Sequence, residues 1–107
     1  MEEIENLWSP AHQAIENDDL VELARLLDAG VDPNEACCGM TLLYHAVDYE
    51  ADAAIQGERE MGVSFIAMLL AYGASPGAVS SRGRTPLALA DEYGHQMAKR
   101  LLLRFTD

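Results

Sequence analysis

The sequence predicts an all-α fold built as a stacked array of about three helix–turn–helix units, with the middle unit lengthened. Three observations lead there. A hexapeptide occurs in three variants: Ser9-Pro10-Ala11-His12-Gln13-Ala14, Thr41-Leu42-Leu43-Tyr44-His45-Ala46 and Thr85-Pro86-Leu87-Ala88-Leu89-Ala90. A double leucine follows each copy, at Leu26-Leu27, Leu69-Leu70 and Leu102-Leu103. The first two of these run into Gly30 and Gly73, each followed three residues later by a proline, Pro33 and Pro76. A period in the low thirties marks units that bury their apolar faces only against each other.

In the first unit Ser9 caps a short helix with Pro10 at its first position, where a missing N–H costs nothing. That helix ends near Asn17-Asp18. Asp18 or Asp19 caps a second helix, whose stripe Leu20, Val21, Leu23, Ala24, Leu26 and Leu27 recurs at helical spacing. Gly30 stops it and Pro33 starts an extended loop. In the last unit Thr85-Pro86 repeats the cap and Gly94 ends the short helix. Met97, Leu101, Leu102 and Phe105 then line the final helix. The middle unit departs from this length. Ala14 to Leu26 and Ala90 to Leu102 are each 12 residues, whereas Ala46 to Leu69 is 23, so the added residues fall within Asp48–Val63. Val47–Gln56 contains good helix formers and extends the short helix by two or more turns, and Gly57 and Gly62 bracket the connection.

This pattern resembles the ankyrin repeat family over about residues 8–105. Gly39-Met40-Thr41-Leu42-Leu43 and Gly83-Arg84-Thr85-Pro86-Leu87 match the loop-to-helix junction of the family motif G-x-T-P-L-H-x-A, and Gly94-His95 matches its interhelical G-H. The resemblance implies one domain over 1–107, an ankyrin solenoid with repeats at about 8–39, 40–82 and 83–107. It also implies structural roles for His12, which buttresses the turn, and His95. The chain departs from the motif where Leu42 replaces proline and where Tyr44 and Ala88 replace histidine, changes expected to weaken the turn's hydrogen bonding. His45 stands on the variable position and either packs between repeats or borders the concave face. Ile4, Leu7 and Trp8 are expected to cover the first unit, and Lys99, Arg100 and Arg104 to make the outer face of the last helix polar.

Charge is unevenly distributed. The chain carries −11, but residues 1–60 hold 15 acids and two bases, a charge of −13, while residues 61–107 carry +2. Such a field repels nucleic acid and anionic lipid and steers basic partners toward the first two repeats. No apolar run reaches the ~20 residues that span a bilayer. The start is acidic, unlike the basic start of a signal peptide. Cys37 and Cys38 are adjacent and cannot clip distant segments, which suits a reducing compartment and a cytoplasmic location.

No phosphate loop, dinucleotide fingerprint, nucleophile elbow or metalloprotease motif occurs in the sequence. No enzyme, metal or cofactor is therefore indicated. Asp48, Glu50, Asp52, Glu58 and Glu60 lack the spacing of a calcium loop and read as a solvated acidic face. Cys37-Cys38 has no second cysteine pair for zinc.

Ankyrin arrays bind proteins through their short helices and loop tips. Carried over residue by residue, the resemblance implies contacts from Gln13, Glu16 and Asn17 on the first short helix. Tyr44, His45, Asp48, Tyr49 and Asp52 contribute from the second, and Glu92 and Tyr93 from the third. The tips add Glu35, Cys37, Cys38, Met40, Ser81, Arg82 and Arg84. Tyr44 equally fits a packing role between repeats. The resemblance extends to small bacterial ankyrin proteins that begin W-[ST]-P-A-H and carry a lengthened middle repeat, and some ankyrin proteins are immunity partners of toxins. The leading expectation is a non-catalytic, monomeric binding protein, a stoichiometric inhibitor or immunity protein for a basic partner such as a secreted toxin. The alternatives are a general scaffold or adaptor and, remotely, a thiol-based redox regulator using Cys37-Cys38.

Overall fold

The computed structural model describes residues 8–57, 62–80 and 83–106. Ile4, Leu7, Glu58, Glu60, Ser81 and Arg82 lie outside them. The described chain forms six helices and one small hairpin in the order α1 (Pro10–Glu16), α2 (Leu20–Asp28), β1 (Ala36–Cys37), β2 (Met40–Thr41), α3 (Leu42–Gly57), α4 (Ser64–Ala71), α5 (Pro86–Tyr93) and α6 (Gln96–Arg104). Each helix pair, α1 with α2, α3 with α4 and α5 with α6, packs against itself. The short first helices stack as a row in which α3 touches both α1 and α5, and α2 meets α4 behind them. The result is an all-α repeat array.

Helix boundaries follow from local chemistry. The Ser9 hydroxyl accepts from the His12 N–H at 3.3 Å, and the Thr85 hydroxyl accepts from the Ala88 N–H at 3.1 Å, each with proline opening the helix. The Asp19 carboxylate accepts from the Glu22 N–H at 3.0 Å and caps α2. Gly94 ends α5 in the left-handed region at φ 71°, where a side chain would be strained. His95 then caps α6. Its Nδ1 accepts from the Ala98 N–H at 3.3 Å while its Nε2–H donates to the Gly62 carbonyl at 2.8 Å, which fixes the tautomer and ties the third repeat to the second.

The loop between the first two repeats is a two-residue hairpin with antiparallel pairs Ala36–Thr41 and Cys37–Met40. Both turn residues have positive φ, Cys38 at 59° and Gly39 at 84°, which matches the right-handed strand twist. Leu42 stands at this junction where the repeat motif has proline. Leu42 supplies an N–H that proline lacks, and it donates to the Glu35 carbonyl at 3.2 Å. Successive loops are also laced together, because the Asn34 side-chain oxygen accepts from the Ser75 N–H at 2.6 Å.

The core is a continuous strip: Ile15 and Leu23 in the first repeat, Leu42, Leu43, Ile66 and Leu69 in the second, and Leu102 in the third are all fully buried. α3 has 16 residues against 7 in α1 and 8 in α5, so the insertion does lengthen the short helix by more than two turns. The extension buries Ala51 and Ala54, continuing the stripe begun by Val47.

Glu50 departs from the expected solvated acidic face. It lies on the same buried stripe, only 8% exposed. Its two carboxylate oxygens accept from the Phe65 N–H at 3.1 Å and the Ile66 N–H at 3.2 Å. α4 opens at Val63 without a side-chain cap of its own, so Glu50 serves as its cap from the neighbouring helix. Burial pushes the Glu50 carboxyl above its ordinary range, opposed by the α4 backbone N–H groups it accepts from.

On the last helix Arg100 and Arg104 are exposed as expected, but the expected apolar lining is not realised. Met97 and Phe105 do not line the core: Met97 is 50% and Phe105 47% exposed, together with Leu103 at 54%. Only Ala98 and Leu102 of α6 are buried.

Replacing Glu50 by alanine strands two N–H groups in the interior, and is expected to cost about 1–3 kcal/mol in urea denaturation. Asp52→Ala, on the exposed side of the same helix, is expected to stay within about 0.5 kcal/mol. Equal losses for the two variants would exclude the capping role.

Candidate functional site: an acidic face with tyrosines on the short helices

The row α1, α3, α5 presents one face, and the lengthened α3 stands at its centre. On that face the Tyr93 hydroxyl at the end of α5 donates to the Asp48 carboxylate on α3 at 2.8 Å. Arg84 pairs with Glu92 across the start and end of α5. The Tyr44 and Tyr93 phenols lie close enough to Arg84 to bias its charge, and Asp52 and Glu92 act likewise on Tyr93. Tyr44, Asp48, Asp52, Glu92, Tyr93 and Arg84 therefore form one cluster drawn from two helices and a loop. Its electrostatics are dominated by carboxylates. The Tyr93 phenol is pushed up to about 12, first by its hydrogen bond to Asp48, then by burial and the surrounding negative charge. Arg84 is held more firmly protonated, first by its bond to Glu92.

Residue geometry explains the grouping. Asp48 and Asp52 are one α-helical turn apart and share a side of α3, while Ala51 and Glu50 point into the interior. Tyr44 sits one turn earlier and is half-buried against the core. Both tyrosines thus keep an apolar body packed and a polar tip near the surface.

The other expected contacts fall elsewhere. Tyr49 faces away from Asp48 and packs edge-on against Phe65 of α4, with ring centroids 6.0 Å apart. It lines a cavity of about 200 Å³ with Asp18, Glu50 and Ser64, on the side of α3 toward the second row. Glu35 is half-buried and accepts from the Ser9 hydroxyl, which ties the loop to the start of α1. Met40 lies half-buried in the hairpin. Gln13 donates to Asn17 at 3.0 Å along α1. Arg82 lies outside the described residues.

His45 is fully buried and presents no surface to a partner, which corrects its assignment as a contact. Its Nε2 meets the Glu16 carboxylate at 2.6 Å and its Nδ1 meets Nδ1 of His12 at 2.7 Å. Trp8 stacks over both rings, with centroid separations of 4.5 Å to His45 and 5.8 Å to His12. Glu16, also expected as a contact, is therefore the surface end of a chain that runs inward through two imidazoles. An ionised Glu16 can only accept, so Nε2 of His45 carries a proton. Between the two Nδ1 atoms one donates and the other accepts. Burial, then the neighbouring His45, push the His12 imidazole down to about 4, opposed by an interaction with the Glu35 backbone. His12 thus stays neutral at ordinary pH, and its Nε2 has no partner at full hydrogen-bond geometry among the described residues. No local signal marks His45 as buried. Only its register beside His12 one repeat earlier could have suggested a stacked pair.

The thiols of Cys37 and Cys38 lie 3.3 Å apart at the hairpin tip. The hydrogen bond with Cys37 raises the Cys38 thiol above its ordinary value, which suppresses the thiolate that reactive cysteines need. Among the described residues no group of three or more His, Cys, Asp or Glu side chains is placed to hold a metal ion. No helix among them is long and apolar enough to cross a membrane.

The sequence matches no protein-family model and no curated protein. By structure the chain is similar to an ankyrin repeat domain from Acinetobacter baumannii AYE, with a TM-score of 0.76 and 27% identity over 92% of this chain. It covers 48% of that solved chain, and so spans about half its length.

His12 gives a direct test of the buried pair. A histidine that ionises near 4 in the fold and near 6.5 when unfolded binds more protons unfolded, so stability is present above 6.5 and falls as pH drops toward 4. The full effect is about 3 kcal/mol. Of the three histidine ring signals in an NMR titration, that of His12 is expected to shift only near pH 4. A midpoint near 6.5 would contradict the buried arrangement.

Proposed function

We propose that this chain, an ankyrin repeat protein, is a stoichiometric inhibitor of the immunity type that holds a basic partner protein against the acidic face of its short helices. The ankyrin fold is typically a non-catalytic interaction scaffold, and binding of another protein is the activity it supports in general. The observation that carries the finer reading is the cluster of Tyr44, Asp48, Asp52, Glu92 and Tyr93. Two partly packed phenols offer rigid anchors at low entropy cost, and the carboxylates around them pair with arginine or lysine. One guanidinium, Arg84, already sits among them and shows the chemistry a partner would supply. A secreted toxin with a basic cleft, such as a nuclease that attracts phosphate, has the complementary charge. The reading includes a cytoplasmic site of action and a monomeric free state.

The charge of −13 over residues 1–60 supports fast, salt-sensitive capture. The Asp48–Tyr93 bond supports a preorganised surface, since neither group has to be ordered when a partner arrives.

Co-expression with the product of the adjacent reading frame is expected to rescue growth from toxicity and to yield a 1:1 complex. Asp52→Lys combined with Glu92→Lys keeps the Asp48–Tyr93 bond and should leave folding intact. Surface plasmon resonance at low salt should then show at least about tenfold weaker binding, mostly through slower association. A neighbouring product that neither binds nor is neutralised would remove the immunity reading. Unchanged affinity of the double variant would move the interface off this face.

A further inference from the structure

We propose that the outer side of α6 is a second docking surface, opposite in charge to the first, and that its occupant is an acidic amphipathic helix of a partner protein. α6 turns Ala98 and Leu102 inward. Its other side is an open surface formed by Met97, Arg100, Leu101, Leu103 and Arg104. Three of the six large apolar side chains most exposed among the described residues, Met97, Leu103 and Phe105, belong to this helix and its cap. Apolar side chains left half in water over so short a stretch mark a surface meant to be covered.

Charge identifies the cover. Among the described residues Arg25, Arg84 and Lys99 each have an acidic partner, whereas Arg100 and Arg104 have none. The two guanidiniums without an ion pair among the described residues thus stand on this same surface. The spacing favours a helical occupant. Met97 and Leu101 form one i, i+4 row and Arg100 and Arg104 a second beside it, the ridge pattern that receives another helix. Carboxylates at i, i+4 on the incoming helix would meet the arginine row while its leucines enter beside Met97 and Leu101.

Other occupants fit less well. A second copy related by a two-fold axis would set Arg100 and Arg104 against their own counterparts. An anionic membrane or nucleic acid extends far beyond α6 and would meet the acids that give the chain its charge of −11. A single helix, about 10 Å wide, meets only the basic end.

The probe is a fluorescein-labelled synthetic peptide with leucines at i, i+3, i+4 and i+7 and glutamates flanking them, titrated against the full chain by fluorescence anisotropy. Saturable binding that weakens with added salt is expected. Arg100→Glu with Arg104→Glu should weaken it at least about tenfold, and the milder Arg100→Gln with Arg104→Gln should weaken it less, with thermal melts confirming that both fold. Asp52→Lys with Glu92→Lys, on the other face, should leave it unchanged, which separates this surface from the proposed inhibitory one. A peptide with lysines in place of the glutamates should not bind. The proposal is overturned by an absence of peptide binding, by indifference to the arginine variants, by dimerisation in sedimentation velocity that those variants abolish, or by tighter binding to phosphatidylserine vesicles than to the peptide.

Discussion

The arrangement of the middle repeat hangs on one carboxylate. An insertion between paired helices removes the short turn that would otherwise cap the second helix, and α4 begins at Val63 with no cap of its own. Its first N–H groups lie in the interior, where unmet donors are expensive. Glu50 answers them from α3, which requires α3 to continue past the length of its neighbours. The extra turns and the cap are therefore one device. Without the extension there is no Glu50 beside α4, and without Glu50 the extension would leave α4 with buried, unpaired donors.

That device also places the candidate binding face. Once Val47, Glu50, Ala51 and Ala54 are pinned inward, the helical repeat leaves Asp48 and Asp52 on the outside. Asp48 then reaches Tyr93 in the next repeat, so the third unit is clasped to the extended helix through polar contact as well as through packing. His95 repeats the theme from the far side by donating to Gly62, just past the insertion. The first repeat is joined differently, through the buried His12–His45 pair beneath Trp8. Each repeat boundary thus carries its own polar fastening over a shared strip of leucine and isoleucine.

The repeat architecture was legible because its signals are local and redundant. Ser9-Pro10, Thr85-Pro86, Gly30, Gly73 and Gly94 each report a backbone condition that few other residues meet, and the structure realises every one of them. What escaped was direction. Glu50 belongs with Asp48 and Asp52 by residue type and proximity in sequence, but its i+3 and i+4 relation to Val47, Ala46 and Ala54 places it on the apolar stripe. Tyr49 neighbours Asp48 in sequence but points to α4 instead. The sequence around His45 fits two roles, because its burial depends on a ring one repeat away. The last helix differs in the opposite sense. Its three bases suggested a polar cover, but Met97, Leu103 and Phe105 share the exposed side with them.

This last difference changes the character of the molecule's basic end. Cations placed near the end of a helix are stabilised by its dipole and need no partner to justify them. Apolar side chains receive no such compensation. Met97 and Leu103 remain half in water beside Arg100 and Arg104, a combination that neither a solubilising cap nor an interior helix produces. A cap would have replaced the apolar residues, and a buried helix would have lost the arginines. The pairing of both on one side of α6 is what docking of the proposed acidic helix accounts for. Such a surface selects what covers it by charge and holds it by apolar contact.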